Sequence, residues 1–162
     1  KNISELKGQV SICTECKRFF KKDNDGGICS ICRDKNRDQD VLMIVSRDTD
    51  LENIEKTRTF NGVYFVLGGA IPLIEKDDSE KVSTIKLRGV VKKKIAESKL
   101  QEIILALNAT PEGEHTGDII EKQLRPLAPD IKISRLGKGI STGTELEYSD
   151  GETIKNALKN RA

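Results

Sequence analysis

The sequence is poor in aromatic residues and has no long hydrophobic run. The 162-residue chain contains no tryptophan, and aromatic residues make up only 4% of it, so a hydrophobic core must be mainly aliphatic. Its longest apolar runs, VLMIV and VYFVL, are far too short to cross a bilayer. No apolar leader of signal-peptide type is visible either, and we therefore expect a cytoplasmic protein.

A large excess of one charge is also missing. Charged residues make up 33% of the chain, but the formal net charge is only +2. No overall electrostatic field therefore favours a nucleic acid or a membrane surface, and any contact with DNA must come from local patches. The length fits one medium domain, or one medium domain with a small appendage, and no internal repeat is visible.

Cysteine is absent outside one short segment. The four cysteines form two Cys-x-x-Cys pairs, Cys13 with Cys16 and Cys29 with Cys32, with 12 residues between the pairs. In a reducing cytosol thiols stay free or bind metal, which argues against disulfides. Two such pairs around a loop of this length are typical of a tetrathiolate zinc site. Unrelated buried cysteines would not be paired in this way, and a redox pair would need only one Cys-x-x-Cys at the start of a helix.

Zinc would explain how residues 1–40 fold. A segment of about forty residues with few apolar side chains usually needs a metal or a disulfide. Four thiolates leave no coordination position for water, so the ion is expected to be structural. The basic run KRFFKK follows the first pair and places two phenylalanines among four cations, as nucleic-acid-binding segments do. A solvated ribbon tip with both phenylalanines packed inward is an equal alternative.

After the cysteine segment, apolar runs alternate with amphipathic stretches. The runs 41–45, 63–67, 102–107 and 131–136 are typical of buried strands, and helices are predicted after the first run, over 82–98, over 113–127 and near the C-terminus. Ser149 and Glu152 have the spacing of a capping box for the last helix. The alternation predicts an α/β fold with a parallel sheet covered by helices. The apolar positions assigned to the buried sides of the helices are Leu51, Ile54, Ile85, Val90, Val91, Ile95, Ile119, Ile120, Leu124 and Leu127.

In an open parallel sheet, function gathers at the carboxyl ends of the strands. The loop 108–116 is polar and begins a helix, so Glu112 and Glu114 should lie in the first turn, where the helix dipole stabilises carboxylates. For Glu114 we favour this structural role. His115 is predicted to be an exposed first-turn residue, because no nucleophile can be assigned beside it. The other residues at strand ends are Ser46, Arg47, Asp48, Asp50, Gly68 and Gly69.

Several stretches together resemble the RecR family of bacterial recombination mediator proteins. They are the four-cysteine ribbon, YFVLGG, PEGEHT and ELEYSDGETIKNAL, and they occur in the family's order. The resemblance implies a zinc ribbon over 1–40, a Toprim parallel sheet flanked by helices over 41–136, and a C-terminal loop and helix over 137–162 that contacts a neighbouring subunit. It also implies a nucleoid-associated role in DNA repair, in which the family acts with RecO and RecF to load RecA onto gapped or single-stranded DNA.

The family normally carries a helix-hairpin-helix DNA-binding segment ahead of its ribbon, and residues 1–10 are too short to contain one. In the family that segment supplies one contact of a clamp-like tetramer. We therefore expect at least a dimer, with the tetramer dependent on that segment.

The resemblance also bears on catalysis. Catalytic Toprim domains place a glutamate after the first strand and an Asp-x-Asp after the third, and these carboxylates hold magnesium. The corresponding positions here are Ser46, Asn108 and Thr110, which offer only neutral oxygens. We therefore expect a scaffold that is not an enzyme. The alternatives are a Toprim metal-dependent nuclease or primase-like enzyme that uses Glu112, and a zinc-ribbon interaction module unconnected with DNA.

The acidic Toprim face engages RecO and RecF in the family, which makes Asp50 and Glu112 the candidates for partner contact. Helix capping and solvation are an equal alternative for each of them. DNA contact is expected to be electrostatic and indifferent to sequence. Its candidates are Lys17, Arg18, Lys21 and Lys22 in the ribbon and Lys92, Lys93 and Lys94 on a helix.

Overall fold

The computed structural model describes residues 9–22, 26–73, 82–97 and 99–161. Near the N-terminus, a two-stranded hairpin and a one-turn helix carry the cysteines, and we call residues 9–34 without the undescribed 23–25 the ribbon. The ribbon contains β1 (Val10–Ile12), β2 (Phe19–Lys21) and α1 (Ser30–Arg33). The remaining elements are β3 (Asp38–Val45), α2 (Asp48–Thr57), β4 (Gly62–Val66), α3 (Val82–Ala96), β5 (Glu102–Ala106), α4 (Pro111–Leu124), β6 (Lys132–Arg135), a 3-10 helix (Leu146–Tyr148) and α5 (Gly151–Lys159).

Strands β3 to β6 form one four-stranded sheet in the order β4-β3-β5-β6, and all neighbouring strands are parallel. This architecture confirms the predicted α/β class. The inner strand β3 is buried from Leu42 to Val45, as expected for a parallel strand covered on both faces. It begins at Asp38, three residues before the predicted run, where Asp38 pairs with Gly62 of β4. The prediction missed these first residues because they are polar and show no hydrophobic pattern.

Helices α3 and α4 cover one face of the sheet. Leu42 and Ile44 of β3 point to this face and pack with Leu87 and Val91 of α3 and with Ile120 of α4. Alternate residues of a strand point to opposite faces, so a continuous apolar strand supplies both layers at once.

The buried side of α3 differs from the prediction at one position. Ile85 is 48% exposed, whereas Thr84, Leu87 and Val91 are buried. Ile85 lies six residues before Val91, which places it about 120° away around a helix of 3.6 residues per turn. Leu87, four residues before Val91, is only about 40° away. The assignment of Ile85 to the core was therefore wrong.

The second face of the sheet is covered by α2 and by the ribbon. Met43 and Val45 pack there with Leu51 of α2 and with Cys13 and Cys16. The ribbon is thus one of the layers of the fold, and the sheet residues beneath it depend on its being folded.

The C-terminal segment carries α5, whose N-cap differs from the prediction. The carboxylate Oδ1 of Asp150 accepts the N–H groups of Glu152 and Thr153 at 3.0 and 2.9 Å. Ser149 instead ends the preceding 3-10 helix, where its N–H donates to the Leu146 carbonyl. The proposed Ser149 cap was therefore wrong by one residue. Asp150 satisfies two of the free N–H groups at the helix start.

Apolar side chains of the C-terminal segment remain uncovered in the single chain. Leu146, Tyr148 and Leu158 are 61%, 76% and 59% exposed, and no residue of α5 is buried. None of the helices in the described parts of the chain is long and apolar enough to span a bilayer.

Candidate metal centre and strand-end surface

The Sγ atoms of the four cysteines converge. All four lie within 4.8 Å of one another, and those of Cys16 and Cys29 are 3.6 Å apart. A tetrahedral ion with metal–sulfur bonds of about 2.3 Å holds its sulfurs about 3.8 Å apart, whereas disulfide sulfurs are about 2 Å apart. The four thiols form no disulfide, and their spacing is that of ligands that could hold one metal ion.

Backbone turns bring the two pairs together. Lys17, directly after the first pair, has φ 65° and donates its N–H to the Cys13 carbonyl at 3.1 Å. Gly27, just before the second pair, has φ 80°, and its carbonyl accepts the Thr14 N–H at 3.0 Å. The Cys29 N–H then points at the Cys13 sulfur, 3.4 Å away.

The converging thiols alter one another's ionisation. Hydrogen bonds from Cys16, Cys29 and Cys32 lower the pKa of the Cys13 thiol. The thiols of Cys16 and Cys32 hydrogen-bond to Cys13, and this raises the pKa of each. Thiolates are the ligand form of cysteine, so a cation bound by this set would displace the remaining protons.

Two hydrogen bonds fasten the ribbon to the rest of the fold, one to the sheet and one to α2. The Leu67 N–H donates to Val45 of β3, so the N–H of Val66 points to the other side, toward the free edge of β4. There it donates to the Cys16 carbonyl at 2.8 Å. The Phe19 N–H donates to the Asp48 carboxylate at the start of α2, at 2.9 Å. The ribbon thus protects an edge that would otherwise expose unpaired backbone groups.

The basic run of the ribbon contains two cations that are bonded within the protein and two that are exposed. Lys17 Nζ donates to the Thr14 carbonyl, and Arg18 is only 17% exposed and lies 3.9 Å from Glu52. Lys21 and Lys22 are exposed.

The two phenylalanines of this run are not both packed inward. Phe20 packs against the core beneath the ribbon, whereas Phe19 is 56% exposed. Phe19 and Lys21 are two residues apart in β2 and therefore lie on the same face of the hairpin.

The three lysines of α3 also have different environments. Lys92 is exposed, and Lys93 pairs with Glu15 of the ribbon at 2.9 Å. Lys94 is half-buried, and its Nζ donates to the Gln39 side-chain oxygen at 3.2 Å. Only Lys92 is therefore without a bonded partner in the described residues.

At the carboxyl end of the sheet, the first and second strand-end loops are tied together. The carbonyl of the buried Ser46 accepts the N–H groups of Gly68 and Gly69 at 3.0 and 2.9 Å. Both glycines have positive φ, 83° and 139°, which a residue with a side chain rarely adopts. The Ser46 hydroxyl has no hydrogen-bond partner among the described residues.

The acidic residues of the first loop are already engaged. Asp48 accepts the Phe19 N–H of the ribbon, as described above. Asp50 accepts the Arg47 N–H at 2.9 Å and so closes the first turn of α2. The structural role weighed for Asp50 is therefore present in the fold.

The third strand-end loop begins α4 with a close backbone approach. Thr110 is the N-cap, and its hydroxyl accepts the Gly113 N–H at 3.2 Å. A Cβ atom on Gly113 would lie 2.0 Å from the Asn108 carbonyl oxygen, so this position requires glycine. Glu112 is exposed, and within the described chain its side chain makes no ion pair.

The next two residues of α4 are half-buried. Glu114 pairs with Arg135 at 3.4 Å and with Lys138 at 2.8 Å. His115 is half-buried, and its Nε2 is buried without a hydrogen-bond partner in the described residues. The prediction that His115 is exposed was therefore wrong, because it considered only the position of the residue in the first turn.

The strand-end loops assemble no acidic metal site in the described part of the chain. There, the four cysteines are the only group of three or more His, Cys, Asp or Glu residues positioned to hold a metal ion. At the ends of β3 and β5 the loops instead contain Ser46, which is buried, and Asn108 and Thr110, which are exposed.

Comparison with known proteins matches both parts of the chain after the ribbon. A Toprim domain family matches residues 40–137, and the family described as RecR, C-terminal, matches residues 139–162. The recombination protein RecR of Chloroherpeton thalassium is 36% identical over 160 residues, 99% of this chain and 76% of that protein. The recombination protein RecR of Lacticaseibacillus casei is 32% identical over 161 residues, again 99% of this chain and 76% of the relative. The chain belongs to the RecR family.

The segment that matches the RecR C-terminal family lines one side of a cleft beside the sheet. This cleft of about 440 Å³ lies between the carboxyl ends of β5 and β6, the start of α4 and the first turn of α5. Gly113 and Gly117 of α4 lie at its wall, and Asn160 after α5 donates to the Lys138 carbonyl at 2.9 Å.

The sequence predicted that the four cysteines form a metal-ligand set, but it did not predict the long-range contacts that hold the ribbon and the sheet to the helices. It missed the bond from Phe19 to Asp48 and the contacts of Glu15 and Gln39 with α3. Each joins residues at least 29 positions apart, and no local pattern marks such pairs. The only available signal was compositional, because the few apolar residues of the ribbon need other apolar surface to pack against.

Proposed function

We propose that this chain is a non-catalytic mediator of recombinational DNA repair. It acts with RecO and RecF, binds gapped or single-stranded DNA, and promotes RecA loading. The observation that carries this proposal is RecR family membership across 99% of the chain, ribbon and C-terminal helix included. The location that follows from this role is the nucleoid of the bacterial cytoplasm.

A reconstituted loading reaction tests the proposal. RecA is added to single-stranded DNA coated with single-strand-binding protein, and its DNA-dependent ATP hydrolysis is followed with RecO present. Addition of this chain should raise the rate above that with RecO alone. An equal rate with and without the chain, at a concentration where RecO binds it, contradicts the proposal.

We propose zinc as the metal of the four-cysteine site. Soft thiolates select zinc or iron–sulfur chemistry among common biological metals, and the converged sulfurs leave no position for an additional ligand. The zinc is structural: it holds the ribbon folded and takes no part in catalysis. Elemental analysis of the purified chain should find one zinc per chain, whereas a visible iron–sulfur absorption would contradict this assignment.

The ribbon is the part of this chain we propose for DNA contact, through Lys21 and Lys22. Both cations are exposed, and Phe19 adds an exposed aromatic ring on the face of Lys21. Lys17 and Arg18 belong to the same run, but both are bonded within the protein. We therefore expect them to contribute less to DNA binding than Lys21 and Lys22. Lys21→Ala with Lys22→Ala should weaken single-stranded DNA binding, whereas Lys56→Ala, which removes an exposed lysine of α2, should not. Equal loss in both variants would contradict a ribbon contact.

Glu112 is the proposed contact for RecO or RecF, with Asp50 in a supporting role. Glu112 is exposed at the carboxyl end of the sheet, whereas Asp50 already accepts a backbone N–H. Glu112→Lys should reduce capture of RecO. The matched control is Asp130→Lys, an equally exposed charge reversal in the turn before β6, and equal loss in that variant would contradict the assignment.

We propose that residues 137–162 contact a second copy of the chain. The uncovered apolar side chains of the 3-10 helix and α5 support this contact. We propose the same division of the chain as before, a ribbon over 1–40, a Toprim domain over 41–136 and this C-terminal segment; the two matched families, over 40–137 and 139–162, support its last two parts. Mass measurement in solution should give at least a dimer, and Leu158→Lys should shift it toward monomer; a parent chain that is monomeric at high concentration contradicts the proposal.

The alternative function is a Toprim metal-dependent nuclease or primase-like enzyme. It would need carboxylates around a magnesium ion, and Glu112 is the exposed carboxylate at the third loop. Neutral oxygens at Ser46, Asn108 and Thr110 weigh against it.

A further inference from the structure

A cavity of about 220 Å³ separates the ribbon from α3. Its walls include Cys32, Gln39, Tyr64 and Lys94. Cys32 is the one cysteine of the four that is not fully buried, so the metal-ligand set is open on the side of this cavity.

Lys94 lies on the α3 side of the cavity, in an unusual environment for a lysine. It is half-buried, and its Nζ is held at 3.2 Å by the neutral amide oxygen of Gln39. The adjacent Lys93, by contrast, pairs with the Glu15 carboxylate at 2.9 Å. Within the described residues, Lys94 makes no ion pair with a carboxylate, so its charge is not neutralised by a direct partner.

The metal centre, in turn, needs a positive charge nearby. A divalent ion with four thiolates carries two net negative charges, and three of the four cysteines are buried. A buried net charge is costly unless an opposite charge lies near it. The cavity brings Lys94, which has no carboxylate partner among the described residues, to the same space as the ligand Cys32.

We propose that Lys94 is the outer-sphere cation of the metal centre, held by Gln39 so that its ammonium offsets the negative charge of the thiolates from the Cys32 side. Burial lowers the pKa of Lys94, and the negative charges of Glu15 and Cys32 act in the other direction. The site thus includes a side chain of the Toprim domain as well as the ribbon's cysteines. Such outer partners tune metal affinity without touching the metal.

Zinc affinity of the full chain tests this assignment. Each variant is loaded with one zinc ion, and the ion is titrated away with a colorimetric chelator of known affinity. Lys94→Met keeps the apolar stem and removes the charge, and it should weaken zinc binding about tenfold or more. Lys94→Arg should restore binding to within about twofold of the parent, as a charge-conserving variant of an outer-sphere residue.

The matched control is Lys92→Met, an exposed lysine two residues away on the same helix. It should leave zinc affinity unchanged. Parental affinity in Lys94→Met overturns the proposal, and so does an equal loss in Lys94→Arg, because the effect would then come from packing. If Lys94→Met does not fold, Lys94→Gln is compared with Lys94→Arg by cobalt(II) titration, and equal cobalt affinities overturn the proposal.

Discussion

Removal of the metal should destabilise the sheet as well as the ribbon. The perturbation is a strong chelator, or Cys29→Ser, either of which would deprive the four cysteines of the proposed zinc ion. Without it the ribbon has few apolar residues to hold it folded, and segments of this size rarely fold unaided. Its unfolding exposes the sheet face that it covers together with α2.

The size of the effect follows from the residues beneath the ribbon. Met43, Val45, Tyr64 and Val66 are each at most 5% exposed on that face. Full burial of such a side chain contributes about 1.5–3 kcal/mol, so uncovering two of the four costs about 3–6 kcal/mol. For a chain of this size about 1 kcal/mol shifts Tm by about 2–4 °C, so Tm should fall by at least about 6 °C.

Scanning calorimetry of the metal-loaded and metal-free chain measures this shift. The control is the same chelator already saturated with zinc, which should leave Tm unchanged. A metal-free chain, verified by elemental analysis, with an unaltered Tm would refute the reasoning. It would mean that the sheet does not depend on the ribbon for its second layer.

Three further predictions concern the backbone, the pH response and DNA. Gly113→Ala should destabilise the chain by about 1–3 kcal/mol through its clash with a backbone oxygen, whereas Gly89→Ala, which meets nothing within 4 Å, should stabilise α3 by about 0.5–1 kcal/mol; equal effects in denaturant titrations would contradict this. Burial acts to raise the pKa of Glu55, but hydrogen bonds from Arg37 and Tyr64 outweigh it and hold that pKa below the ordinary value of a glutamate. Glu55 therefore stabilises the fold at neutral pH, and the Tm gap between parent and Glu55→Gln should close as the pH falls through this lowered pKa; a constant gap would exclude this linkage. Lys21→Ala should reduce the slope of log affinity against log salt for single-stranded DNA by about one, and an unchanged slope would remove this lysine from the contact.

The sheet was predictable because its strands are continuous apolar runs. Residues 63–66 and 102–106 were assigned as strand, and β4 and β5 occupy them. The prediction was weaker where polar residues join an element, as at the start of β3. The cap of α5 was misplaced for a related reason, since Ser149 and Asp150 are both good caps and only the backbone decides between them.

The candidate site was predictable only where spacing along the chain determines geometry. The two Cys-x-x-Cys pairs were enough to predict that the four sulfurs lie close together. The environments of the lysines were not predictable, because Lys92, Lys93 and Lys94 are adjacent and identical in sequence. They differ only in their distant neighbours, Glu15 of the ribbon beside Lys93 and Gln39 of β3 beside Lys94. His115 was misjudged in the same way, since its burial depends on contacts outside α4.

The central claim is that the strand-end loops of this RecR-family chain hold too little negative charge to bind a catalytic magnesium ion. The most direct measurement is incubation of single-stranded, duplex and gapped DNA with the chain and Mg²⁺ or Mn²⁺, analysed on denaturing gels. The DNA should remain intact at every metal concentration. Cleavage or primer synthesis that requires the metal and is abolished by Glu112→Gln would contradict the claim.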